Sequence, residues 1–320
     1  MMKYYMAPLE GITGYIYRRA YHACFEPADK YFTPFLTPNQ KGKFSSRELN
    51  DILPEHNEGM HAVPQILTNR ADEFIFYAKR LKDEFGYEEV NLNLGCPSKT
   101  VVSRYRGSGF LIKTDELERF LDEIFEALDM KISIKTRIGK WDPEEFDELL
   151  GIYNRFPMEE LIIHPRLQQD YYKNRPNLEV FQKAVEESKN ELCYNGDIFT
   201  TEDYEKWKRQ FPEVEMLMLG RGILRNPGLI GMMKGKEVPQ KEQIKRFHDR
   251  ILEDYCEVNS GDTPVLFKMK ELWAYMGEMF PDSGKYLKKI KKTEKLSVYR
   301  GIVDELFSVC EIELFNTNTL

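Results

Sequence analysis

Short apolar runs alternate with longer stretches of helical spacing through most of this chain. Tyr4–Ala7, Tyr31–Leu36, His61–Leu67, Val90–Leu94, Lys131–Ile138, Leu161–His164, Leu192–Asn195 and Met216–Leu219 each have the length and content of a buried strand. Between them, apolar positions three and four apart predict helices over 15–25, 71–85, 117–128, 143–155, 178–188 and 201–211, while 37–59 reads as a polar loop. Eight strands in βα order within residues 1–238 predict an α/β fold, a (β/α)8 TIM barrel. A doubly wound sheet has the same order, but no GxGxxG follows any strand. Past Pro239 the strand-like runs stop. Helical spacing over 243–258, 265–279 and 298–315 predicts a smaller all-helical C-terminal domain at 239–320.

Composition narrows the class without changing the fold. Hydrophobic residues are 42% and charged residues 31% of the 320, which suits a large soluble core. No apolar run approaches the roughly 20 residues of a membrane span, and the first residues lack a signal-peptide stretch, so no membrane association and a cytoplasmic location are expected. The five cysteines, Cys24, Cys96, Cys193, Cys256 and Cys310, form no CxxC pair, and the five histidines have no ligand spacing; neither a disulfide framework nor a metal site is expected. The net charge of −7 argues against nucleic-acid binding as a global property. Locally the balance reverses: Lys285, Lys288, Lys289, Lys291, Lys292 and Lys295 crowd one stretch, and the nearby Tyr286 and Tyr299-Arg300 fit RNA contact. That stretch is either a solvated helix face or a surface for RNA phosphates, with Lys288, Lys289 and Lys292 the candidate contacts.

In a barrel, the residues that end the strands converge on one mouth. Here those ends carry Pro8-Leu9-Glu10, Gln65, Asn93 and Cys96, Lys135 and Arg137, His164 and Arg166, Asn195-Gly196-Asp197, and Gly220-Arg221-Gly222. Glycine-bearing turns after the last two strands suit a phosphate, with Arg221 adding a charge-assisted contact. A phosphate site, an inward lysine at 135 and the amides of Gln65 and Asn93 together suit flavin mononucleotide (FMN).

In order along the chain stand Met6-Ala7-Pro8-Leu9-Glu10-Gly11-Ile12-Thr13, Asn91-Leu92-Asn93-Leu94-Gly95-Cys96-Pro97-Ser98, Lys135-Thr136-Arg137, Ile163-His164, Asn195-Gly196-Asp197-Ile198 and Gly220-Arg221-Gly222. Together these motifs resemble the tRNA-dihydrouridine synthase family over the whole chain. The resemblance implies an FMN-dependent, NADPH-consuming enzyme that reduces the C5–C6 double bond of particular uridines in tRNA. It implies that Cys96 is the proton donor and that Pro8, Leu9, Glu10, Gln65, Asn93, Lys135, His164, Asn195, Gly196, Asp197, Gly220 and Arg221 contact FMN. Arg137 matches a family position placed here on the substrate side.

The chemistry agrees with such an assignment. Hydride delivered to C6 of uracil leaves C5 in need of a proton, and an ordinary thiol, with a pKa near 8.5, is mostly protonated at neutral pH. Cys96 is therefore expected to act as a general acid and not as a nucleophile. The target base must leave its stack to reach a barrel mouth. The segment Ser103-Arg104-Tyr105-Arg106-Gly107-Ser108-Gly109 suits a mobile lid over it, with Arg104 and Arg106 as RNA contacts. The partner is then tRNA, and a monomer is expected. A flavin oxidoreductase of the dihydroorotate dehydrogenase type shares the barrel and the cysteine, but does not need a lysine-bearing helical tail. Ribosomal RNA as target, an aldolase with Lys135 as Schiff-base former, and a non-catalytic RNA-binding module are further alternatives.

Overall fold

The computed structural model describes residues 1–39 and 41–314. Gln40, in the predicted loop, and Phe315, the predicted end of the last helix, lie outside the described residues. Two compact units are present. Among the described residues, the first comprises 1–8, those within 29–197, and 208–219; the second comprises 9–28, 198–207 and those from 220 onward.

The first unit is the barrel. Its strands are β1 (Lys3–Met6), β2 (Lys30–Phe32), β3 (Ala62–Val63), β4 (Gln65–Ile66), β5 (Glu89–Leu94), β6 (Lys131–Arg137), β7 (Leu161–His164), β8 (Leu192–Tyr194) and β9 (Met216–Leu219). All pair in parallel, in the order β3-β2-β1-β9-β8-β7-β6-β5-β4. The two ends of that order are consecutive in sequence. β3 and β4 are halves of the single predicted strand at 61–67, separated by Pro64, so the ring closes through the chain itself and the eight-strand expectation holds.

Proline explains the split, because it has no N–H for the ladder. The site is repaired from both sides. The Pro64 carbonyl accepts from Asn91 N at 2.9 Å, and Gln65 N donates to the Thr33 hydroxyl at 3.2 Å. A bridge between Leu36 and Ile66 continues the contact of the β2 segment beyond the proline.

The strands are buried along almost their whole length, as a parallel sheet covered by helices requires. The helix Ala71–Phe85 buries Phe74, Tyr77, Ala78 and Leu81 and ends on Gly86 at φ 75°, where glycine enters the left-handed region without penalty. A departure from the sequence expectation lies in the polar stretch before β3. The predicted loop at 37–59 contains the helix Ser46–Ile52, held by a capping box in which Ser45 and Glu48 satisfy each other's backbone N–H groups. That Ser-x-x-Glu signal stands in the sequence, but the segment is too short and polar for apolar periodicity to reveal it.

The second unit is helical. Lys241–Val258 packs its Phe247 edge-on against Tyr17 and Phe25, with ring centroids 5.5 and 5.1 Å apart. Asp262–Met276, Gly284–Lys292 and Leu296–Val309 complete it around Trp273, Phe280 and Phe307. His248 Nε2 lies 2.6 Å from the Tyr299 hydroxyl, which also accepts from the Trp273 indole at 2.7 Å. Among the described residues no helix is long and apolar enough to cross a membrane, and no group of three potential metal ligands occurs.

Candidate active site at the C-terminal ends of the strands

Parallel pairing sets the site. The register places Gln65 beside Asn91, Asn93 beside Lys135, and Arg137 beside His164. Residues far apart in sequence thus become lateral neighbours at one end of the barrel.

Cys96 leaves β5 on a turn that the strand's own asparagine builds. Asn93 Oδ1 accepts from Gly95 N at 3.0 Å and Cys96 N at 2.9 Å, and its Nδ2 donates to Gln65 Oε1 at 2.6 Å. The far side of the turn is closed by Ser108, whose backbone N–H and hydroxyl both donate to the Cys96 carbonyl, at 3.1 and 2.9 Å. Gly107, at φ 56°, lies so close that a Cβ there would meet the Cys96 carbonyl oxygen at 2.7 Å. Burial pushes the Cys96 thiol pKa up, against the opposing pull of the Ser98 N–H, Arg137 and Lys135. The thiol form is the one held at neutral pH.

The segment after Cys96, the expected lid, is packed against its surroundings. Its two glycines serve close packing: a Cβ at Gly109 would meet Val102 backbone at 2.8 Å. Arg106 pairs with Glu73 at 3.3 Å, and the Arg104 carbonyl accepts from Asn69. The Arg104 side chain is exposed, whereas Arg106 is half-buried, so the two arginines have different surroundings.

Lys135 is half-buried and has no hydrogen-bond or ion-pair partner among the described residues. Burial, with repulsion from Arg137, lowers its pKa to about 8. Arg137 is spent on the framework: Nε donates to Gly95 O at 3.0 Å, and the two terminal nitrogens to Leu167 O at 2.7 Å and Tyr171 O at 2.8 Å. It clamps the cysteine turn to the loop after β7.

That loop contributes a second cluster. Arg166, only 2% exposed, forks onto the Asp197 carboxylate and reaches His164 Nε2 at 2.9 Å. A guanidinium only donates, so that ring nitrogen accepts. Tyr172, 48% exposed, stacks on His164 with centroids 5.9 Å apart, and the Arg137 guanidinium lies 5.5 Å from its ring. Arg166 is among the strand-end residues read from the sequence; Tyr172 is an addition to them. Arg166 shares a strand end with His164, but nothing in the sequence distinguishes Tyr172 from Tyr171. Asn195 donates to Met218 O at 2.8 Å, and Gly196 is crowded by Tyr194, whose hydroxyl would lie 2.0 Å from an added Cβ. Pro8 ends the first stretch of this unit.

The other candidates belong to the second unit. The Leu9 carbonyl accepts from Ile12 N and Thr13 N, both at 3.0 Å, in the turn that holds Glu10, whose side chain is exposed. Gly220 leads directly into the short helix Arg221–Arg225, and the Arg221 guanidinium lies 5.4 Å from the Phe199 ring. In Gly284–Lys292, the lysines at 285, 288, 289, 291 and 292 are all exposed. Lys289 lies 5.8 Å from the Tyr286 ring, while Lys288 and Lys292 have no partner among the described residues. Tyr286 and Tyr299 are 1% and 0% exposed, which corrects the expectation that they meet RNA: both belong to the helical core.

A closed parallel barrel with a protonated thiol, an unpaired lysine and buried amides at its C-terminal rim has the layout of a barrel enzyme. Solved structures agree on the fold: the chain resembles a variant of NCR from Zymomonas mobilis, with TM-score 0.51 and 14% identity, over 77% of this chain and 90% of that one. The class is an oxidoreductase acting on a carbon–carbon bond. The chain belongs to the dihydrouridine synthase family: the family model "Dihydrouridine synthase (Dus)" matches residues 5–311. Among its relatives, tRNA-dihydrouridine synthase B of Pasteurella multocida (strain Pm70) is 25% identical over 275 residues, covering 85% of this chain and 78% of that protein. A probable tRNA-dihydrouridine synthase of Rhizobium leguminosarum bv. phaseoli is 24% identical over 194 residues, covering 59% and 61%.

Proposed function

We propose that this protein reduces the C5–C6 double bond of particular uridines in tRNA, with FMN as cofactor and NADPH as reductant. One observation carries the reading: a thiol kept protonated by burial, in the turn that leaves β5, and a lysine without a counter-ion, near the end of the neighbouring β6, share one barrel rim. An unpaired, partly desolvated cation costs stability unless an anionic ligand completes it, so its surroundings fit a flavin. Within the barrel unit, Lys135, Gln65, Asn93, His164 and the Asn195–Asp197 turn are the residues to hold it. When bound and reduced, the flavin supplies the hydride for C6 of the uracil.

The chain's own contribution is the proton. Cys96 Sγ–H gives its hydrogen to C5, and the thiolate left behind regains one from water. Asn93 and Ser108 fix the backbone on either side of the sulfur, so the donor needs little reorganisation. Arg137 holds the same turn from a third direction.

Cys96→Ala is expected to keep the yellow flavin absorbance while uridine reduction on unmodified tRNA falls about 10²–10⁴-fold. Undiminished turnover removes the cysteine's role. A colourless protein without FMN, or turnover of orotate-like compounds in place of tRNA, removes the whole reading.

RNA is proposed to lie against the exposed lysines of Gly284–Lys292. Replacing Lys288, Lys289 and Lys292 together by Ala should flatten the logarithmic salt dependence of tRNA binding by about two to three units. An unchanged slope assigns the run to plain solvation.

A further inference from the structure

One line of polar side chains runs through the barrel unit, and its hydrogen bonds point one way. At the rim, Gly95 N and Cys96 N donate to Asn93 Oδ1. Asn93 Nδ2 donates to Gln65 Oε1 at 2.6 Å, and Gln65 Nε2 to Asn91 Oδ1 at 2.7 Å. Asn91 Nδ2 then donates to Ser133 Oγ at 2.9 Å, and Ser133 donates to Glu89 Oε1 at 3.3 Å. From Asn93 down to Glu89 every side chain in this series is buried.

The direction is fixed at both ends. Backbone N–H groups can only donate, so Asn93 must turn its oxygen to the cysteine turn. An ionised carboxylate can only accept, so Ser133 must give Glu89 its hydrogen. Between those ends no amide can flip without setting donor against donor or acceptor against acceptor, each mismatch stranding a buried polar group. Glu89 is kept an acceptor by Lys30, whose ammonium lies 2.9 and 2.8 Å from its two oxygens. Although burial opposes it, the neighbouring His61 and Lys30 hold the Glu89 pKa below its usual value.

We propose that Glu89 and Ser133, toward the opposite end of the barrel, are positioning residues for Cys96, acting through the relay Asn91–Gln65–Asn93. The proposal rests on the reading of Cys96 as proton donor for the value of that positioning, but the coupling belongs to the protein alone. Breaking the relay at Ser133 should release the amides above it and loosen the Asn93 cap on the cysteine turn.

The test compares thiols within one molecule. The full chain as purified, without RNA or reductant, is alkylated with iodoacetamide, and the rate at each cysteine is followed by mass spectrometry. Cys24 and Cys256, also partly exposed, serve as internal references. In Ser133→Ala the rate at Cys96 relative to these two should rise at least fivefold, and Ser133→Thr, which keeps the hydroxyl, should restore it. A merely structural role would move all three rates together. If Ser133→Ala does not fold, Ser133→Cys, with a weak donor of similar shape, decides in its place. A wild-type ratio in the folded variant, or failure of the threonine to restore it, overturns the proposal. Because the readout involves no catalysis, it fails or succeeds independently of the assigned reaction.

Discussion

Two lysines in one barrel live under opposite conditions. Lys30 opens β2 and lies between Glu89 and Glu160, with all four carboxylate oxygens 2.8–3.0 Å from its ammonium. Lys135, near the exit of β6, faces no carboxylate among the described residues. Burial lowers a lysine pKa in both places. At Lys30 the charges of Glu160 and Glu89 outweigh burial and hold the pKa above 10.5, whereas at Lys135 burial prevails and the value falls to about 8. One end of the barrel is electrostatically complete, and the other keeps a cation that the fold does not neutralise. Structure and function divide along that line.

The largest test acts on the complete end. Lys30→Met leaves two carboxylates buried without their shared cation, and burial with the charge of Glu89 already raises the Glu160 pKa to about 7. Removing one partner of a buried ion cluster costs about 3–5 kcal/mol. Urea unfolding should show that loss, and adding Glu89→Gln and Glu160→Gln should recover much of it. Wild-type stability in Lys30→Met would erase the contrast between the two ends.

Lys135→Met should do the reverse. It removes a desolvated, unpaired charge, so the flavin-free chain should gain about 1–3 kcal/mol, scaled from 1.36 kcal/mol per pKa unit. The same change should weaken FMN binding about 10–100-fold, the share of one charge-assisted hydrogen bond. Thermal melts of flavin-free protein and FMN titration read the two effects. A variant that loses stability and keeps FMN affinity would make Lys135 an ordinary framework lysine.

Much of this architecture is legible before any coordinates. Strands of a parallel barrel are buried on both faces, so they stand out as short apolar runs, and those at 161–164 and 216–219 agree residue for residue. The motif Asn93-x-Gly95-Cys96 marks a turn, and the turn is there. What periodicity conceals is which polar partner each polar residue takes. Arg137 and Arg166 look alike as arginines after buried strands, yet one clamps three carbonyls and the other forks onto Asp197. Glu89 and Glu160 look like solvent-facing acids beside Glu88 and Glu159, and only closure of the ring turns them onto Lys30. Tyr286 and Tyr299 show the converse: a lysine-rich context suggests a surface, but helical packing takes the rings inside.

The finest test separates the two lysines by the sign of their pH dependence. Below pH 8 Lys135 is protonated in both folded and unfolded chains, so the folded state carries the whole desolvation cost. Between about 8 and 10.5 the unfolded chain still binds the proton that the folded chain has released, and stability from this group rises with pH. Lys30 behaves oppositely: its pKa is raised on folding, so its contribution is fully present below 10.5 and is lost only as pH climbs through the raised value. In the window from 8 to 10 only Lys135, of the two, gives a slope. The melting-temperature advantage of Lys135→Met over the flavin-free wild type should therefore shrink by more than half between pH 7.5 and pH 10. A constant gap would mean that the Lys135 ammonium is as well solvated when folded as when unfolded. The open end of the barrel would then hold no unmet charge for a ligand to complete.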